Sequence, residues 1–218
     1  MIKGVIFDMD GVMIDSEPIH FKLEQELFKE LGIEISSHEH NTYVGTTSFY
    51  MWEKIKKNHN LYDGVEELVK RDRRKYLQFL SDNVDIEPIE GIVDLIKDLY
   101  KNGVKLAVAS SSPIDIIELV VKRFNIREYF SYIVTGDYVA NSKPDPDIFL
   151  YAAEKIKIVP DECLVVEDSY NGIMAAKRAG MKSVGYRNMN SGNQDLSQAT
   201  FIIDSFNNIS YDKIKNLT

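Results

Sequence analysis

The sequence is most constrained by one short stretch near its beginning, where an apolar run leads directly into two carboxylates. Val5-Ile6-Phe7 is followed by Asp8, Asp10 and Gly11. A β-branched apolar run bounded by Gly and Asp predicts a buried strand. Two acids at the end of a buried strand repel each other and lose hydration, so a divalent cation is their simplest partner. The alternative is a plain turn, because Asp-x-Asp-Gly also suits a strand exit.

The composition is that of an ordinary globular protein with an acidic balance. The 218 residues are 44% hydrophobic and 28% charged, with a net charge of −8. This charge argues against nucleic acid and anionic membranes as partners. No apolar run approaches the roughly 20 residues of a membrane helix, and the first predicted strand leaves no room for a signal peptide. With Cys163 as a core thiol, we expect a cytoplasmic protein, and nothing in the sequence demands more than a monomer.

Helical and strand patterns divide the chain into two parts. Between about residues 16 and 85 we find only helical periodicity, including patterns at 46–58 and 64–82. Beyond this stretch, apolar runs alternate with helical patterns, which predicts right-handed βαβ units and a mainly parallel sheet. We therefore predict an α/β fold. Its Rossmann-like core comprises residues 1–15 and 86–218, and an all-helical cap of residues 16–85 is inserted.

Further polar residues fall where the predicted strands end. Together with the first two acids they are Asp8, Asp10, Ser110, Ser111, Lys143, Glu167 and Asp168. The carboxyl ends of parallel strands meet at one edge, where open α/β proteins bind ligands. Carboxylate oxygens suit Mg²⁺ rather than zinc, which prefers His and Cys. A hydroxyl, an ammonium and a helix N-terminus suit a phosphate, so we predict a magnesium and phosphate site at this edge.

Each of these features also has a simpler explanation when taken alone. The serines at 110–112 could cap the helix that follows them, and Lys143 could be a solvated loop lysine. Glu167 and Asp168 could be acids placed against a helix dipole. Their joint occurrence at strand ends favours the functional interpretation.

Four stretches of the chain resemble the motifs of the haloacid-dehalogenase-like phosphohydrolases in order and spacing. They are residues 7–12, 108–112, 142–149 and 165–169, the last followed by Gly172. Within that family the chain is similar to the β-phosphoglucomutase-like branch, which has a helical cap inserted after the first motif.

The resemblance implies a role for each residue of the site. Asp8 is the expected nucleophile, which forms an aspartyl-phosphate, and Asp10 is the expected general acid and then the base for water. Ser110 and Lys143 are expected to hold the phosphoryl group. Further phosphate or substrate contacts are expected from Gly11, Ser111, Glu17 and His20. Mg²⁺ is expected on Asp8, the backbone carbonyl of Asp10, Asp168 and the neighbouring Glu167.

The expected activity is Mg²⁺-dependent hydrolysis of small phosphorylated metabolites, with sugar phosphates as the favoured class. A phosphosugar mutase of this branch is expected to anchor a second phosphate with a cap arginine and lysine. This chain has Ser48 at the first position and Asp72 at or near the second, which favours the hydrolase. The shared His20 keeps the mutase as the alternative.

Two other interpretations are less favoured. A non-catalytic phosphate-binding regulator would not need every catalytic position, and a receiver-like signalling domain would not carry an inserted cap. Lys70–Lys75 is a basic run that we expect to be a solvated helix face, although one of its side chains could reach an anionic substrate. We assign no role to the polar segment 187–199.

Overall fold

The computed structural model describes residues 1–215. Its strands are β1 (Gly4–Phe7), β2 (Lys105–Ser110), β3 (Tyr132–Thr135), β4 (Cys163–Glu167), β5 (Lys182–Tyr186) and β6 (Phe201–Ile203). They form one parallel sheet in the order β3-β2-β1-β4-β5-β6. This confirms the predicted α/β fold with a mainly parallel sheet. The strand that leads into Asp8 therefore lies inside the sheet, between β2 and β4.

The helices of the described residues fall into two groups. Those between β1 and β2 that precede residue 85 are α1 (Glu17–Glu30), α2 (Ser37–Asn41), α3 (Ser48–His59) and α4 (Val65–Asp82). Those that follow are α5 (Ile92–Lys101), α6 (Ile114–Arg123), α7 (Asp147–Ile156), α8 (Tyr170–Arg178) and α9 (Tyr211–Lys215). The sequence pattern does not predict α2 or α9, because five residues are too few to display a helical period.

Hydrophobic clusters cover both faces of the sheet. Successive side chains of a strand point to opposite sides, so neighbouring residues of β1 belong to different clusters. Val5 and Phe7 belong to the cluster that includes apolar residues of α5 and α6. Ile6 belongs to the cluster that includes residues of α7 and α8. A strand buried on both faces has no polar side to show, which explains why β1 is a continuous apolar run.

Helices α1, α3 and α4 surround a hydrophobic cluster of their own. Leu27, Phe28 and Trp52 are fully or almost fully buried in it. Leu23 and Tyr76, from α1 and α4, belong instead to the main cluster, so these two helices also pack against the α/β part. The boundaries proposed for the two domains stay predictions. None of the helices in the described residues has the length and apolar character that a membrane crossing requires.

Candidate active site

The ammonium of Lys143 lies between two carboxylates at the carboxyl edge of the sheet. Its Nζ is 2.7 Å from Asp8 Oδ1 and 2.7 Å from Glu167 Oε1. Asp8 follows β1 and Glu167 ends β4, two strands that pair in parallel. Burial opposes the charge on Lys143, but the two carboxylates outweigh burial and raise the pKa of the ammonium. Lys143 is only 1% exposed, so the alternative of a solvated loop lysine is wrong.

Three carboxylates meet beside this ammonium. Asp8, Glu167 and Asp168 are buried, and each offers an oxygen that lies within 4.8 Å of the others. Burial raises the pKa of Asp8 and of Asp168 well above the ordinary value, and the charge of Glu167 acts in the same direction. One ammonium cannot balance three carboxylates in a buried site. The excess negative charge and the hard oxygen donors fit a divalent cation such as Mg²⁺.

Both carboxylate oxygens of Glu167 accept hydrogen bonds. Its Oε2 accepts hydrogen bonds from the backbone N–H groups of Asp168 and Ser169, both at 2.8 Å, and from the Ser169 hydroxyl at 2.9 Å. A Cβ added to Gly172 would lie 1.7 Å from Glu167 Oε1, so only glycine fits beside this carboxylate. Glu167 thus meets the N–H groups that precede α8, as the helix-dipole alternative predicts, while it also holds Lys143.

The Asp10 carboxylate points away from this cluster and toward hydroxyl groups. Ser16 Oγ donates to Oδ1 at 2.7 Å, whereas Ser112 Oγ and Ser110 Oγ donate to Oδ2 at 2.7 and 3.2 Å. His20 Nε2 lies 3.6 Å from Oδ1. Burial opposes ionisation of Asp10, but His20 and these hydroxyls outweigh it and lower its pKa. Asp10 is therefore presented as a carboxylate, the form that accepts a proton.

The hydroxyls that the sequence suggests as helix caps serve other partners. Ser16 occupies the N-cap position of α1 without a capping hydrogen bond from its side chain, and Pro113 occupies the N-cap position of α6. The capping alternative is therefore wrong for the side chain of Ser112, whose hydroxyl donates to Asp10, and the Ser16 hydroxyl donates to the same carboxylate. Ser111 Oγ donates instead to the backbone carbonyl of Gly45 in the cap, at 2.9 Å.

Gly11 lies in the turn directly after Asp10 and packs against the Asp168 carboxylate. Its φ is +72°, and an added Cβ would lie 1.9 Å from Asp168 Oδ2. Both facts require glycine there, because L side chains rarely adopt this backbone conformation and no space is left. The sequence predicts Gly11 as a phosphate contact, and the structure places it against the Asp168 carboxylate.

A cavity lies over this edge, between the sheet and the cap. Its core side includes Asp8, Asp10, Ser111, Ser112 and Asp168, and its cap side includes Glu17, His20, Glu24, His40 and residues 43–48. No lysine or arginine of the described chain lines it. Burial raises the pKa of Glu17 to about 7. Burial opposes the charge on His20, but Asp10 outweighs it and raises the pKa of this imidazole to about 10.

Sequence reasoning missed Glu24 and His40. They form a buried ion pair between α1 and α2 that faces the cavity. A glutamate and a histidine 16 positions apart carry no local signal, and the helix that brings His40 inward is too short to show one. Glu17 and His20, by contrast, line the cavity as the resemblance implies.

The basic run of α4 does not line the cavity. Arg71 and Lys75 pair with Glu30 at 3.0 and 2.9 Å. Arg73 pairs with Asp115 of α6 at 2.6 Å, which links the cap to the core. These side chains lie at the surface, as expected of a solvated helix face.

Comparison with known proteins supplies the family. The model of the haloacid dehalogenase-like hydrolase family matches residues 5–186. The chain is 35% identical over 189 residues to "Putative phosphatase YhcW" of Bacillus subtilis, covering 84% of this chain and 83% of that protein. It is 30% identical over 183 residues to "Phosphorylated carbohydrates phosphatase" of Thermotoga maritima, covering 84% of each.

The chain is also similar to a protein named as a mutase and to a solved crystal structure. The chain is 32% identical over 193 residues to "Beta-phosphoglucomutase" of Bacillus subtilis, covering 84% of this chain and 83% of that protein. The crystal structure of beta-phosphoglucomutase from Clostridium difficile superposes with a TM-score of 0.88 at 26% identity, covering 100% of this chain and 97% of that one. The protein therefore belongs to the haloacid dehalogenase-like hydrolase family.

Proposed function

We propose that this protein is a Mg²⁺-dependent phosphatase of small phosphorylated metabolites, with sugar phosphates as the favoured class. The observation that carries the proposal is the convergence of Lys143 with the Asp8, Glu167 and Asp168 carboxylates at the carboxyl edge of the sheet, where Asp8 and Asp168 line the cavity. The relative named as a phosphatase of phosphorylated carbohydrates supports the substrate class.

Asp8 acts as the nucleophile in this proposal. Its carboxylate oxygen forms a bond to phosphorus as the bond from phosphorus to the leaving oxygen breaks, and the electron pair leaves with that oxygen. Lys143, already 2.7 Å from Asp8, neutralises charge on the transferring phosphoryl oxygens. Asp8, Asp168 and the Asp10 backbone carbonyl would hold Mg²⁺, which supplies positive charge that reduces the repulsion between carboxylate and phosphate.

Asp10 moves the protons. The leaving oxygen takes a proton from Asp10, and in the second half of the reaction the attacking water gives its proton to the same carboxylate. The hydrogen bonds that lower the pKa of Asp10 favour this second half. For the first half Asp10 must hold a proton, and the attacking water of the preceding turnover supplies it. The water oxygen then replaces Asp8 on phosphorus, and inorganic phosphate is released.

A phosphosugar mutase is the alternative, and the cavity lining argues against it. A second phosphate needs free cationic anchors, and no lysine or arginine of the described residues lines the cavity. Its two histidines are already paired with carboxylates, His20 with Asp10 and His40 with Glu24. Ser48 lines the cavity where the mutase arginine is expected. The relative named beta-phosphoglucomutase keeps this alternative testable.

The test is a panel of phosphate monoesters, including hexose and hexitol phosphates, assayed for phosphate release with Mg²⁺. We expect hydrolysis that EDTA stops and added Mg²⁺ restores, and Asp8→Asn should abolish it while leaving the circular dichroism spectrum unchanged. A panel without any hydrolysis would favour the phosphate-binding regulator. Accumulation of glucose 6-phosphate from β-glucose 1-phosphate and a trace of the bisphosphate, without free phosphate, would establish the mutase instead. A monomeric state and a cytoplasmic location stay predictions.

A further inference from the structure

The segment 187–194, which follows β5, lies against the cation end of the site. It is polar and irregular, yet two of its side chains are withdrawn from solvent: Ser191 is 1% exposed and Asn188 is 8% exposed. Polar side chains are seldom buried to this extent without partners that require them. The partners of these two residues show what the segment contacts.

Ser191 contacts the Asp168 carboxylate directly. Its hydroxyl donates a hydrogen bond to Oδ2, the same oxygen that lies against Gly11. Because the bond engages Oδ2 alone, it orients the carboxylate without using the second oxygen. Because both residues are buried and water cannot compete for this bond, Ser191 is well suited to hold Asp168 in one rotamer.

Asn188 contacts the turn that follows β1. Its Nδ2 donates to the backbone carbonyl of Gly11 at 3.0 Å and to Asp15 Oδ1 at 3.1 Å. Gly11 directly follows Asp10, whose own carbonyl is an expected cation ligand. Asn188 therefore fixes the backbone that presents this carbonyl.

Gln194 ties the segment to α8. Its Oε1 accepts a hydrogen bond from the backbone N–H of Tyr170 at 2.9 Å, and its Nε2 donates to the Ser191 carbonyl at 3.1 Å. The segment thus bridges the turn after β1 and the start of α8, the two places that carry the expected ligands.

We propose that Ser191 and Asn188 are positioning residues for the divalent cation, Ser191 through the Asp168 carboxylate and Asn188 through the Asp10–Gly11 turn. This inference rests on the proposed function, because it takes the cation to bind at Asp8 and Asp168. Groups that hold metal ligands in place fix the geometry of the site, and their loss typically weakens metal affinity about 10- to 100-fold.

The test is the affinity of the purified full chain for Mn²⁺, measured without substrate from the electron paramagnetic resonance signal of the free ion. We expect Ser191→Ala to weaken binding by about tenfold or more, and Asn188→Ala to weaken it by a smaller factor. The matched control is Ser197→Ala, an exposed serine of the same polar stretch, which should bind like the wild type. Asp168→Asn shows how far the Mn²⁺ affinity falls when an expected ligand is lost.

A merely structural role would give a different pattern. Ser191→Ala would then lower the unfolding temperature of the cation-free protein, leave the Mn²⁺ affinity within about twofold of wild type, and overturn the proposal. Ser191→Thr, which keeps the hydroxyl, should bind Mn²⁺ more tightly than Ser191→Ala. A wild type that binds no Mn²⁺ would also overturn it. Binding that depends on Ser191, in a protein that hydrolyses no phosphoester, would support this inference while refuting the proposed phosphatase.

Discussion

The core edge and the cap side of the cavity both carry charged side chains, but they hold them differently. At the core edge Lys143 bridges two carboxylates at 2.7 Å, and Glu167 is surrounded by donors from its own chain segment. On the cap side the imidazole of His20 lies 3.6 Å from the Asp10 carboxylate. The core edge is thus organised for one geometry, whereas the cap side lines the cavity with groups that would face the leaving part of a substrate in the proposed function.

The difference follows from how each region is attached. The parallel pairing of β1 and β4 places Phe7 opposite Val166, so the residues that follow both strands are forced together. The cap meets the core through apolar side chains of α1 and α4 and through single hydrogen bonds, not through paired strands. Asn171 Nδ2 donates to the Val44 carbonyl at 2.9 Å, and Ser142 Oγ accepts from the backbone N–H of Thr47 at 3.0 Å. Substitutions at the core edge should therefore impair turnover, and cap substitutions should change substrate binding.

The strongest test of this contrast is Lys143→Met. We expect turnover to fall by at least about 10²-fold, because a preorganised cation near the phosphoryl group is lost. The free energy of unfolding should also fall by about 3 kcal/mol, because three buried carboxylates lose their only ammonium among the described residues. Phosphate release and urea unfolding measure the two effects. Lys97→Met, at an exposed position of α5, is the control, and equal unfolding curves for the two variants would contradict the expectation.

One glycine in each region allows a direct comparison: Gly172 lies beside Glu167 at the core edge, and Gly64 lies in the cap. In Gly172→Ala the new methyl group would overlap Glu167, which its hydrogen bonds prevent from moving, so we expect a loss of about 2 kcal/mol in unfolding free energy and weaker Mn²⁺ binding. Gly64→Ala in the cap meets no atom within 4 Å and should change stability by less than about 1 kcal/mol. Similar losses for both variants, measured by urea unfolding, would remove the distinction.

Asn171→Ala tests how firmly the cap is docked. The variant removes the hydrogen bonds to the carbonyls of Val44 and Thr42, at 2.9 and 3.4 Å. One hydrogen bond contributes about 1 kcal/mol, so we expect KM for a substrate found in the panel to rise by about fivefold, with kcat changed less. The control is Asn208→Ala, at an exposed site far along the chain. A fall in kcat at constant KM would show that Asn171 serves the chemistry rather than cap docking.

The last expected effect depends on pH and concerns the His40–Glu24 pair. Burial opposes the charge on His40, but Glu24 outweighs burial and raises the pKa of the imidazole above its ordinary value of 6.5. A group whose pKa rises on folding stabilises the protein fully below its unfolded-state pKa and loses that contribution as pH rises through the folded-state value. The unfolding free energy of wild type should therefore exceed that of His40→Gln by about 2 kcal/mol below pH 6.5, and by progressively less above it.

Urea unfolding at a series of pH values measures this difference. His38→Gln, at an exposed position of the same short helix, is the control and should follow the wild type throughout. A gap between wild type and His40→Gln that stays constant as the pH rises would show that the contribution of His40 does not depend on its charge.

Much of the core could be predicted from the sequence. The apolar run that becomes β1 places Asp8 at a strand end, and the runs that become β2 and β4 do the same for Ser110 and Glu167. The contact of Lys143 with the carboxylates can be inferred only from the family motif at residues 142–149. A loop sequence alone does not distinguish a buried lysine from a solvated one. The structure decides this with two contacts of 2.7 Å.

The amino-acid sequence by itself determined which residues end the parallel strands, since a strand's period and its boundaries are local properties. Only the tertiary structure decided that Ser16 and Ser112 serve Asp10, that His40 meets Glu24 across two helices, and that Ser191 holds Asp168. These contacts join loops and helices that are distant in sequence. They depend on the packing of whole elements against one another, and no short pattern of residues encodes that packing.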